Sequence, residues 1–340
     1  MQAAVYYGKE NVQAAEWPEP VCGERDVLVR VSGTGICGSD MQIYAGKHPR
    51  AQAPFVPGHE IFGRVDVIGA KVDSRWKRST RVAVYPLISC GKCEPCLRGN
   101  AHVCAKLGLV GVDRDGGFAE LVKVAPDQLV EVPDSIPDDE APIIEPLAVA
   151  VHAVHESALR LGDSVLVTGG GPIGNLLAQT LRAAGAGQVV VSEVSSFRRK
   201  LIEDLGFPVI VPGEETAPQA LNRILGKPYV DLVFEATGQT AAYRDAVTCC
   251  AVRGHISFVG IPKSTPEVDI QGVIFKELST ASARVYRMRD YDGAISLLAR
   301  RAVDVRSLIT DRIPLKDAPR AYEEMKHADK SAKIVLVPNA

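Results

Sequence analysis

The chain has 340 residues, of which 46% are hydrophobic and 24% are charged, and its formal net charge is -2. This composition is typical of a globular protein long enough for two domains, and it excludes a strongly basic nucleic-acid-binding protein. No apolar run reaches the ~18 residues of a membrane helix, and the N-terminus MQAAVYYGKE lacks the pattern of a secretory signal. We therefore expect a cytoplasmic protein with neither a membrane nor a nucleic-acid partner.

The N-terminal third combines strand-like alternation with three residues of the types that bind zinc. Ala4–Tyr7 and Asp26–Ser32 predict strands. Cys37 follows in a glycine-flanked turn, and His59 and Glu60 follow a proline-rich loop. A thiolate, an imidazole and a carboxylate suit zinc better than magnesium or calcium. Each residue also has an ordinary interpretation, as a small buried hydrophobe, a structural histidine and a surface charge, so the residues alone leave both interpretations open.

A cysteine-rich segment predicts a structural zinc site. Cys90, Cys93, Cys96 and Cys104 lie within fifteen residues. Overlapping C-x2-C pairs let turns direct several thiolates at one point, and four thiolates complete a tetrahedral zinc shell. Free thiols or disulfides are the alternatives. His102 lies inside this segment and is predicted to be a surface residue. The cysteines without ligand spacing are interpreted as structural: Cys22, Cys249 and Cys250.

The segment Ser164–Gly174, SVLVTGGGPIG, predicts a strand, a turn and the start of a helix that together bind a dinucleotide. Its apolar residues suit a strand buried on both faces, and Asn175–Ala184 is a helix-forming run. Glycines spaced G-x-G-x-x-G allow a tight turn, close approach of a pyrophosphate and close packing of the helix. The alternative is a plain glycine-rich turn. The predicted contacts are Gly169, Gly171, Pro172, Ile173 and Gly174.

Later segments support the dinucleotide site. Gln188–Ser192 predicts a strand that ends at Glu193, where an acid can bond a ribose 2′-hydroxyl, and Val230–Glu235 and His255–Gly260 predict further strands. Glu193 favours NAD because a carboxylate repels the 2′-phosphate of NADP. Arg198 and its neighbouring arginine favour phosphate, so NADP remains the alternative.

Two motifs and the C-terminus resemble one family. Gly58-His59-Glu60-x2-Gly63-x5-Gly69-x2-Val72, Cys37-Gly38-Ser39-Asp40 and the final Lys333–Pro338 are similar to segments of the zinc-containing medium-chain dehydrogenase/reductases, the alcohol dehydrogenase family. The branch that this chain most resembles contains the sorbitol, threonine and sugar-alcohol dehydrogenases. The resemblance covers essentially the whole chain. One departure is Ser79-Thr80, where relatives usually carry Gly-Asp.

The resemblance implies an α/β fold with two domains. A GroES-like, β-rich catalytic domain would comprise residues 1–150 and 286–340 and carry the structural zinc lobe at 88–106. A Rossmann domain, with a doubly wound parallel sheet that binds NAD, would comprise residues 151–285. The cleft between the domains would hold the cofactor and the open zinc site.

The resemblance also implies roles for individual residues. Ser39 would begin a hydroxyl relay for the substrate proton. Relatives continue the relay with a histidine at the position where this chain has Gln42. A water, a ribose hydroxyl or His48 could take the place of that histidine. Glu145 would lie beside the catalytic zinc or be its exchangeable fourth ligand, and a helix N-terminal carboxylate is the alternative. Glu193 followed five residues later by Arg198 resembles the pattern of the NAD-using threonine dehydrogenases. The implied catalytic-zinc ligands are Cys37, His59, Glu60 and Glu145; the residues lining the nicotinamide half are Val259, Gly260, Ile261, Val285 and Tyr286.

Together these features predict a zinc-dependent oxidoreductase that transfers hydride from a secondary alcohol to NAD, with one catalytic and one structural zinc. The substrate would be a polyol, a sugar acid or an amino alcohol. Arg284, Arg287 and Arg289 suggest an anionic substrate group, although solvated arginines explain them equally. The alternatives are an NADP-dependent alcohol or aldehyde reductase and a non-catalytic zinc- and nucleotide-binding sensor or structural protein. The family suggests a homotetramer or homodimer.

Overall fold

The computed structural model describes residues 1–326 and 330–338, and these divide into two units, each with its own sheet. Unit 1 comprises Met1–Glu145, Arg287–Ala299 and the chain from Val305 onward; unit 2 comprises Pro146–Tyr286 and Arg300–Asp304. The sequence-based boundary at 150/151 therefore lies five residues later than this division, and the sequence pattern did not indicate the return of residues 300–304 to unit 2. No helix in the described part of the chain is long and apolar enough to cross a membrane.

Unit 1 is built mainly from antiparallel strands. A seven-stranded sheet has the order β16-β17-β3-β4-β5-β9, with β8 also paired to β3, and two smaller sheets pair β1 with β2 and β6 with β7. The strands are β1 (Gln2–Gly8), β2 (Asn11–Glu16), β3 (Val27–Gly35), β4 (Glu60–Ile68), β5 (Arg81–Val84), β6 (Leu87–Ile88), β7 (Gly108–Leu109), β8 (Leu121–Val124), β9 (Leu129–Glu131), β16 (Ile309–Pro314) and β17 (Lys333–Val337).

Apolar residues on facing strands and helices form the core of unit 1. One cluster gathers Phe118, Tyr322 and the N-terminal strands, and a second gathers valines of β3, β4 and β5 around Trp76. Burial of this apolar surface is the main favourable free energy of the unit. The helices of unit 1 are α1 (Gly38–Tyr44), α2 (Glu94–Leu97), α9 (Met288–Ala299) and α10 (Ala318–Met325). Helix α3 (Ile144–His155) begins at the last residues of this unit and continues into unit 2.

Unit 2 is a doubly wound domain around a six-stranded parallel sheet. The strand order is β12-β11-β10-β13-β14-β15, so the order reverses between β10 and β13, as in a Rossmann fold. The strands are β10 (Ser164–Thr168), β11 (Gln188–Ser192), β12 (Val209–Ile210), β13 (Val230–Glu235), β14 (Cys250–Phe258) and β15 (Ser279–Ser282). The helices are α4 (Pro172–Ala183), α5 (Ser196–Asp204), α6 (Ala217–Leu225), α7 (Thr240–Cys249) and α8 (Ile270–Phe275).

The structure confirms the predicted strands and helices around the glycine turn and corrects some of their boundaries. Helix α4 begins at Pro172, three residues before the predicted start, because proline suits the first helical turn. Strand β14 begins at Cys250, five residues before the predicted start at His255.

Candidate active site

The pairing of β3 with β4 brings the predicted zinc ligands of unit 1 together. Cys37 follows β3 and caps the N-terminus of α1, whereas His59 and Glu60 stand at the start of β4. Because Gly35 pairs with Glu60 in the antiparallel register, the end of one strand lies beside the start of the other. One ligand atom from each of Cys37, His59 and Glu60 lies within 4.8 Å of the others. A thiol, an imidazole and a carboxylate therefore converge at one point.

Asp40 lies behind the imidazole, a role that the sequence analysis did not assign. It is fully buried, and its Oδ2 accepts a 2.8 Å hydrogen bond from the Cys37 backbone N–H. Its Oδ1 lies 3.7 Å from His59 Nδ1. With Nδ1 facing this carboxylate, the Nε2 of His59 is the ring nitrogen left for a metal, the carboxylate–histidine arrangement common in zinc sites. Only the proximity of Asp40 to Cys37 in the sequence could have suggested it.

The charges around His59 oppose the effect of burial on its pKa. Burial is the largest influence and disfavours the protonated ring, but Asp40, Cys37 and Glu145 together raise the pKa of His59 well above its usual value. Both His59 Nδ1 and Asp40 Oδ1 are buried without a hydrogen-bond partner among the described residues. Polar atoms in this state are costly unless they are compensated, and a cation bound by the ring and the thiolate would compensate them. The donor set of this cluster therefore fits zinc.

Lys333 supplies a buried counter-charge that the sequence analysis did not predict. Its Nζ lies 2.6 Å from Glu60 Oε1 and 2.9 Å from Glu60 Oε2, and it donates a 3.0 Å hydrogen bond to the Ile36 carbonyl. Burial opposes the charged amine, but Glu60 and Cys37 raise its pKa. A Cβ on Gly35 would lie 1.9 Å from Glu60 Oε2, so a side chain at this position would displace the carboxylate from its place beside Lys333. Glu60 thus belongs to two groups, the metal cluster and an ion pair.

The other predicted residues of this site take different positions. Glu145 stands in the first turn of α3 and is buried; it is not a member of the three-residue cluster, although its charge acts on both His59 and Lys333. Ser39 is half-buried in the first turn of α1, whereas Gln42 is exposed. His48 is close enough to His59 for the charge of that ring to lower its pKa, after the larger effects of burial and Arg50.

The four cysteines of the predicted structural zinc site converge. One Sγ atom from each of Cys90, Cys93, Cys96 and Cys104 lies within 4.8 Å of the others. The Cys104 Sγ accepts hydrogen bonds from the backbone N–H groups of Cys90 and Lys106, both at 3.3 Å. Backbone N–H groups of Lys92 and Cys93 lower the pKa of Cys90 to about 6. Such donors stabilise thiolates, the form that binds zinc.

The prediction for His102 was wrong. It is 7% exposed and lines a cavity of about 480 Å³ together with Tyr85, Arg114 and Arg287. Its neighbours Ala101 and Val103 form no extended apolar period, so the local sequence pattern did not indicate burial.

The glycine turn of unit 2 has the close contacts of a phosphate-binding turn. Gly169 has a φ of +94°, which favours glycine. A Cβ on Gly174 would lie only 1.7 Å from the Gly169 carbonyl oxygen, so α4 packs directly against the end of β10. The first and last glycines therefore have the stereochemical roles that a dinucleotide fingerprint requires. The N-terminal N–H groups of α4 suit the negative charge of a pyrophosphate.

Glu193 and Arg198 lie beside this turn. Glu193 follows β11 and is buried; its Oε2 accepts a 2.7 Å hydrogen bond from the Gly170 N–H, and its Oε1 accepts a 2.8 Å bond from the Ser195 N–H. A Cβ on Gly171 would lie 3.5 Å from an Arg198 guanidinium nitrogen. The acid is thus held by the backbone of the turn and the arginine approaches its middle glycine.

The residues predicted to line the nicotinamide half occupy two segments of unit 2. Val259 and Gly260 follow β14, and both donate a 2.8 Å hydrogen bond to the Glu235 carbonyl, whereas Ile261 is 82% exposed. Tyr286 is buried, and Val285 has a φ of 51°, which is uncommon for a β-branched residue. Such a conformation is strained and often marks a functional segment.

Two family models match the chain. The alcohol dehydrogenase GroES-like domain matches residues 23–134, and the zinc-binding dehydrogenase domain matches residues 172–300. A 2-dehydro-3-deoxy-L-galactonate 5-dehydrogenase of Pseudoalteromonas atlantica is 33% identical over all of this chain and 99% of its own. An L-threonine 3-dehydrogenase of Mesorhizobium japonicum is 33% identical over 94% of each chain.

Solved structures of similar proteins include complexes with both nicotinamide cofactors. An alcohol dehydrogenase from Escherichia coli CFT073 complexed with NADH has a TM-score of 0.92, 29% identity and 99% coverage of both chains. A zinc-binding dehydrogenase from Sinorhizobium meliloti 1021 bound to NADP has a TM-score of 0.91, 28% identity and the same coverage. The dehydrogenase relatives exclude the alternative of a non-catalytic sensor or structural protein, but the choice between NAD and NADP stays open.

The predicted fold class and enzyme class are therefore confirmed. The chain belongs to the zinc-containing medium-chain dehydrogenase/reductase family and is a zinc-dependent oxidoreductase that uses a nicotinamide cofactor and acts on secondary alcohols.

Proposed function

We propose that this enzyme oxidises a secondary hydroxyl group of a sugar acid or polyol with NAD, and that Cys37 and His59 hold the catalytic zinc. The convergence of Cys37, His59 and Glu60 within 4.8 Å, in a buried position, is the observation that carries the proposal. We further propose that unit 1 is the catalytic domain, that unit 2 is the nucleotide-binding domain, and that the four-cysteine cluster holds a second, structural zinc.

The residues of unit 1 would divide the work of the reaction. A bound zinc acts as a Lewis acid that lowers the pKa of an alcohol, and a nicotinamide accepts the hydride. Asp40 would favour a proton on Nδ1 of His59 through its charge, since its carboxylate oxygen lies 3.7 Å from that nitrogen. Lys333 pairs with Glu60, which is a member of the cluster, and the charge of Glu145 acts on His59, so either carboxylate could be a third ligand. The Ser39 hydroxyl would relay the substrate proton, accepting it while it passes its own proton on. His48 would be a later acceptor, because its lowered pKa keeps the ring unprotonated.

The placement of Glu193 supports NAD. The Gly170 and Ser195 N–H groups hold one lone pair of each carboxylate oxygen, and a second lone pair on each remains available for the two ribose hydroxyls. A 2′-phosphate at this position would meet a buried carboxylate, and the repulsion would disfavour NADP. Arg198 would then pack beside the adenosine rather than bind a phosphate.

Initial rates with each cofactor test this choice. We expect a higher kcat/KM with NAD than with NADP, and we expect Glu193→Ala to lower kcat/KM for NAD about tenfold, since it removes charge-assisted hydrogen bonds. Asp204→Asn, at the exposed end of the following helix α5, is the matched control and should change neither value. A preference of the wild-type enzyme for NADP would contradict the proposal.

One relative supports a sugar-acid substrate. The relative from Pseudoalteromonas atlantica acts, by its name, on a deoxy sugar acid. Polyols, sugar acids and their phosphates should be compared at equal concentration, and the proposal expects the highest kcat/KM with a sugar acid. A higher kcat/KM with a neutral polyol would refute this choice of substrate.

The outer edge of the sheet in unit 2 supports a homodimer. Strand β15 pairs with β14, and no strand of the described residues pairs with its other edge. The adjacent helix α8 has no buried residue and exposes Ile270, Ile274 and Phe275, with exposed fractions of 59%, 64% and 75%. An open edge beside apolar side chains can be shared by two copies about a twofold axis. We expect a dimer by sedimentation, and we expect Phe275→Asp to convert it to a monomer.

A further inference from the structure

Glu235 is a buried carboxylate with no role in the function described so far. It ends β13 at the point where the strand order of unit 2 reverses, and it is fully buried. Its Oε1 accepts hydrogen bonds from the Thr237 N–H at 2.7 Å, the Thr237 hydroxyl at 2.5 Å and the Gly238 N–H at 2.9 Å. Its Oε2 has no hydrogen-bond partner among the described residues. Burial of a carboxylate costs free energy, and an apolar residue would fill the same space without that cost, so packing alone does not explain Glu235.

The turn that Glu235 closes packs on the phosphate-binding turn. A Cβ on Gly169 would lie 2.7 Å from Thr237 Cγ2 and 3.5 Å from the Ala236 carbonyl oxygen. The first glycine of the fingerprint is therefore in direct contact with Thr237, whose position is set by the Glu235 carboxylate. In the parallel register of β10 and β13, Glu235 also stands beside Thr168, the residue that precedes this glycine.

The same turn packs on the segment that follows β14. A Cβ on Gly260 would lie 2.4 Å from the Gly238 backbone nitrogen and 2.7 Å from Glu235 Oε2. The Gly260 carbonyl accepts a 3.2 Å hydrogen bond from Tyr243, whose pKa is raised by burial and then by the charge of Glu235. Tyr243 thus remains a protonated donor. One carboxylate is linked to both segments that are predicted to contact the dinucleotide.

We propose that Glu235 is a positioning residue for the dinucleotide, which aligns the phosphate turn at Gly169 with the segment at Gly260. The inference rests on the proposed binding of the dinucleotide at these two segments. The carboxylate acts through Thr237 and Gly238 and touches no cofactor atom itself. Its charge strengthens the three hydrogen bonds that fix the turn, so a neutral group of the same shape would hold the turn less tightly.

Affinity measurements on Glu235→Gln test the inference without relying on turnover. The probes are ADP-ribose, which lacks the nicotinamide, and NADH, whose fluorescence reports the whole cofactor. We expect the Kd for ADP-ribose to rise about tenfold, the scale of weakened hydrogen bonds to a charged group, and the Kd for NADH to rise further because both segments are affected. The KM for the alcohol and the zinc content should not change.

Asp231→Asn is the matched control, because it removes a carboxylate from the other end of the same strand. Asp231 accepts hydrogen bonds from the Ser164 N–H at 2.8 Å and hydroxyl at 2.6 Å, far along β13 from the turn. The control should leave both Kd values unchanged. Equal Kd values for wild type and Glu235→Gln, measured well below the Tm of each, would overturn the inference while leaving the proposed function intact. Wild-type protein that bound neither probe would instead overturn the proposed function.

Thr237→Val keeps the test decisive if Glu235→Gln does not fold. Valine retains a methyl group against Gly169 but removes the hydroxyl that donates to Glu235. The inference expects a smaller rise in the Kd for ADP-ribose, about threefold for the loss of one hydrogen bond, and an unchanged Kd would overturn it.

Discussion

Replacing Lys333 by methionine would test how unit 1 balances its buried charges. Lys333 and Glu60 have side chains that are 4% and 1% exposed, and they lie 2.6 Å apart. The substitution keeps most of the side-chain volume but leaves the Glu60 carboxylate without its counter-ion and the Ile36 carbonyl without a donor. Removal of one partner of a buried pair costs about 3–5 kcal/mol, because the remaining charge is desolvated and uncompensated.

That loss is large enough to measure by thermal unfolding. For domains of 150–250 residues, 1 kcal/mol shifts Tm by about 2–4 °C, so the expected decrease is about 6–20 °C. The decrease should be smaller in zinc-loaded protein than in protein treated with a chelator, because a cation bound at Cys37 and His59 would partly compensate Glu60. Scanning calorimetry of both forms measures the two values.

Two further variants make the reasoning refutable. Lys71→Met removes an ion pair with Glu24 whose partners are 58% and 67% exposed, and exposed pairs contribute only about 0–1 kcal/mol. In the double variant Glu60→Gln, Lys333→Met, the unpaired charge is absent, so it should be more stable than Lys333→Met alone. A decrease for Lys333→Met no larger than that of Lys71→Met, or a double variant in which the single losses simply add, would refute the argument.

Three other predictions concern separate parts of the molecule. Cys93→Ser should reduce the zinc content measured by elemental analysis by about one ion per chain and lower Tm, because three thiolates cannot close a structural zinc site; full zinc content would refute the site. Ser79→Gly should raise the free energy of unfolding by about 0.5–1 kcal/mol, because Ser79 has a φ of 69°. The left-handed conformation costs a non-glycine residue about 1–2 kcal/mol, which exceeds the cost of the extra unfolded-state entropy of glycine. Urea unfolding measures this change, and a destabilised variant would refute the prediction. Burial lowers the pKa of His255, so just below pH ~6.5 the unfolded chain binds more protons than the folded protein, and stability rises with pH through that window. Urea unfolding of His255→Gln at several pH values should show a weaker dependence of stability on pH there. A pH dependence identical to that of the wild type would refute the assignment.

The amino-acid sequence by itself determined the parts of this protein that depend on short-range spacing. Four cysteines within fifteen residues and glycines spaced G-x-G-x-x-G each lie in one short segment, so their convergence follows from local backbone geometry. The alternation of apolar strands and helices between residues 164 and 260 likewise predicted a parallel sheet. Ser79 carries a related signal, because it has a positive φ of 69° at the position where the family resemblance implied glycine.

Only the tertiary structure decided which charges face one another. Lys333 and Glu60 are 273 residues apart, and neither strand pattern indicates that β17 lies in the same sheet as β4. His102 shows the same limit, since it is buried although its own neighbours carry no apolar period. Buried polar contacts between distant segments leave no periodic signal in a sequence, because a single lysine or histidine is compatible with both a solvated surface and a paired interior. The local motifs therefore identified the chemistry, and the pairing of distant strands placed the charges that control it.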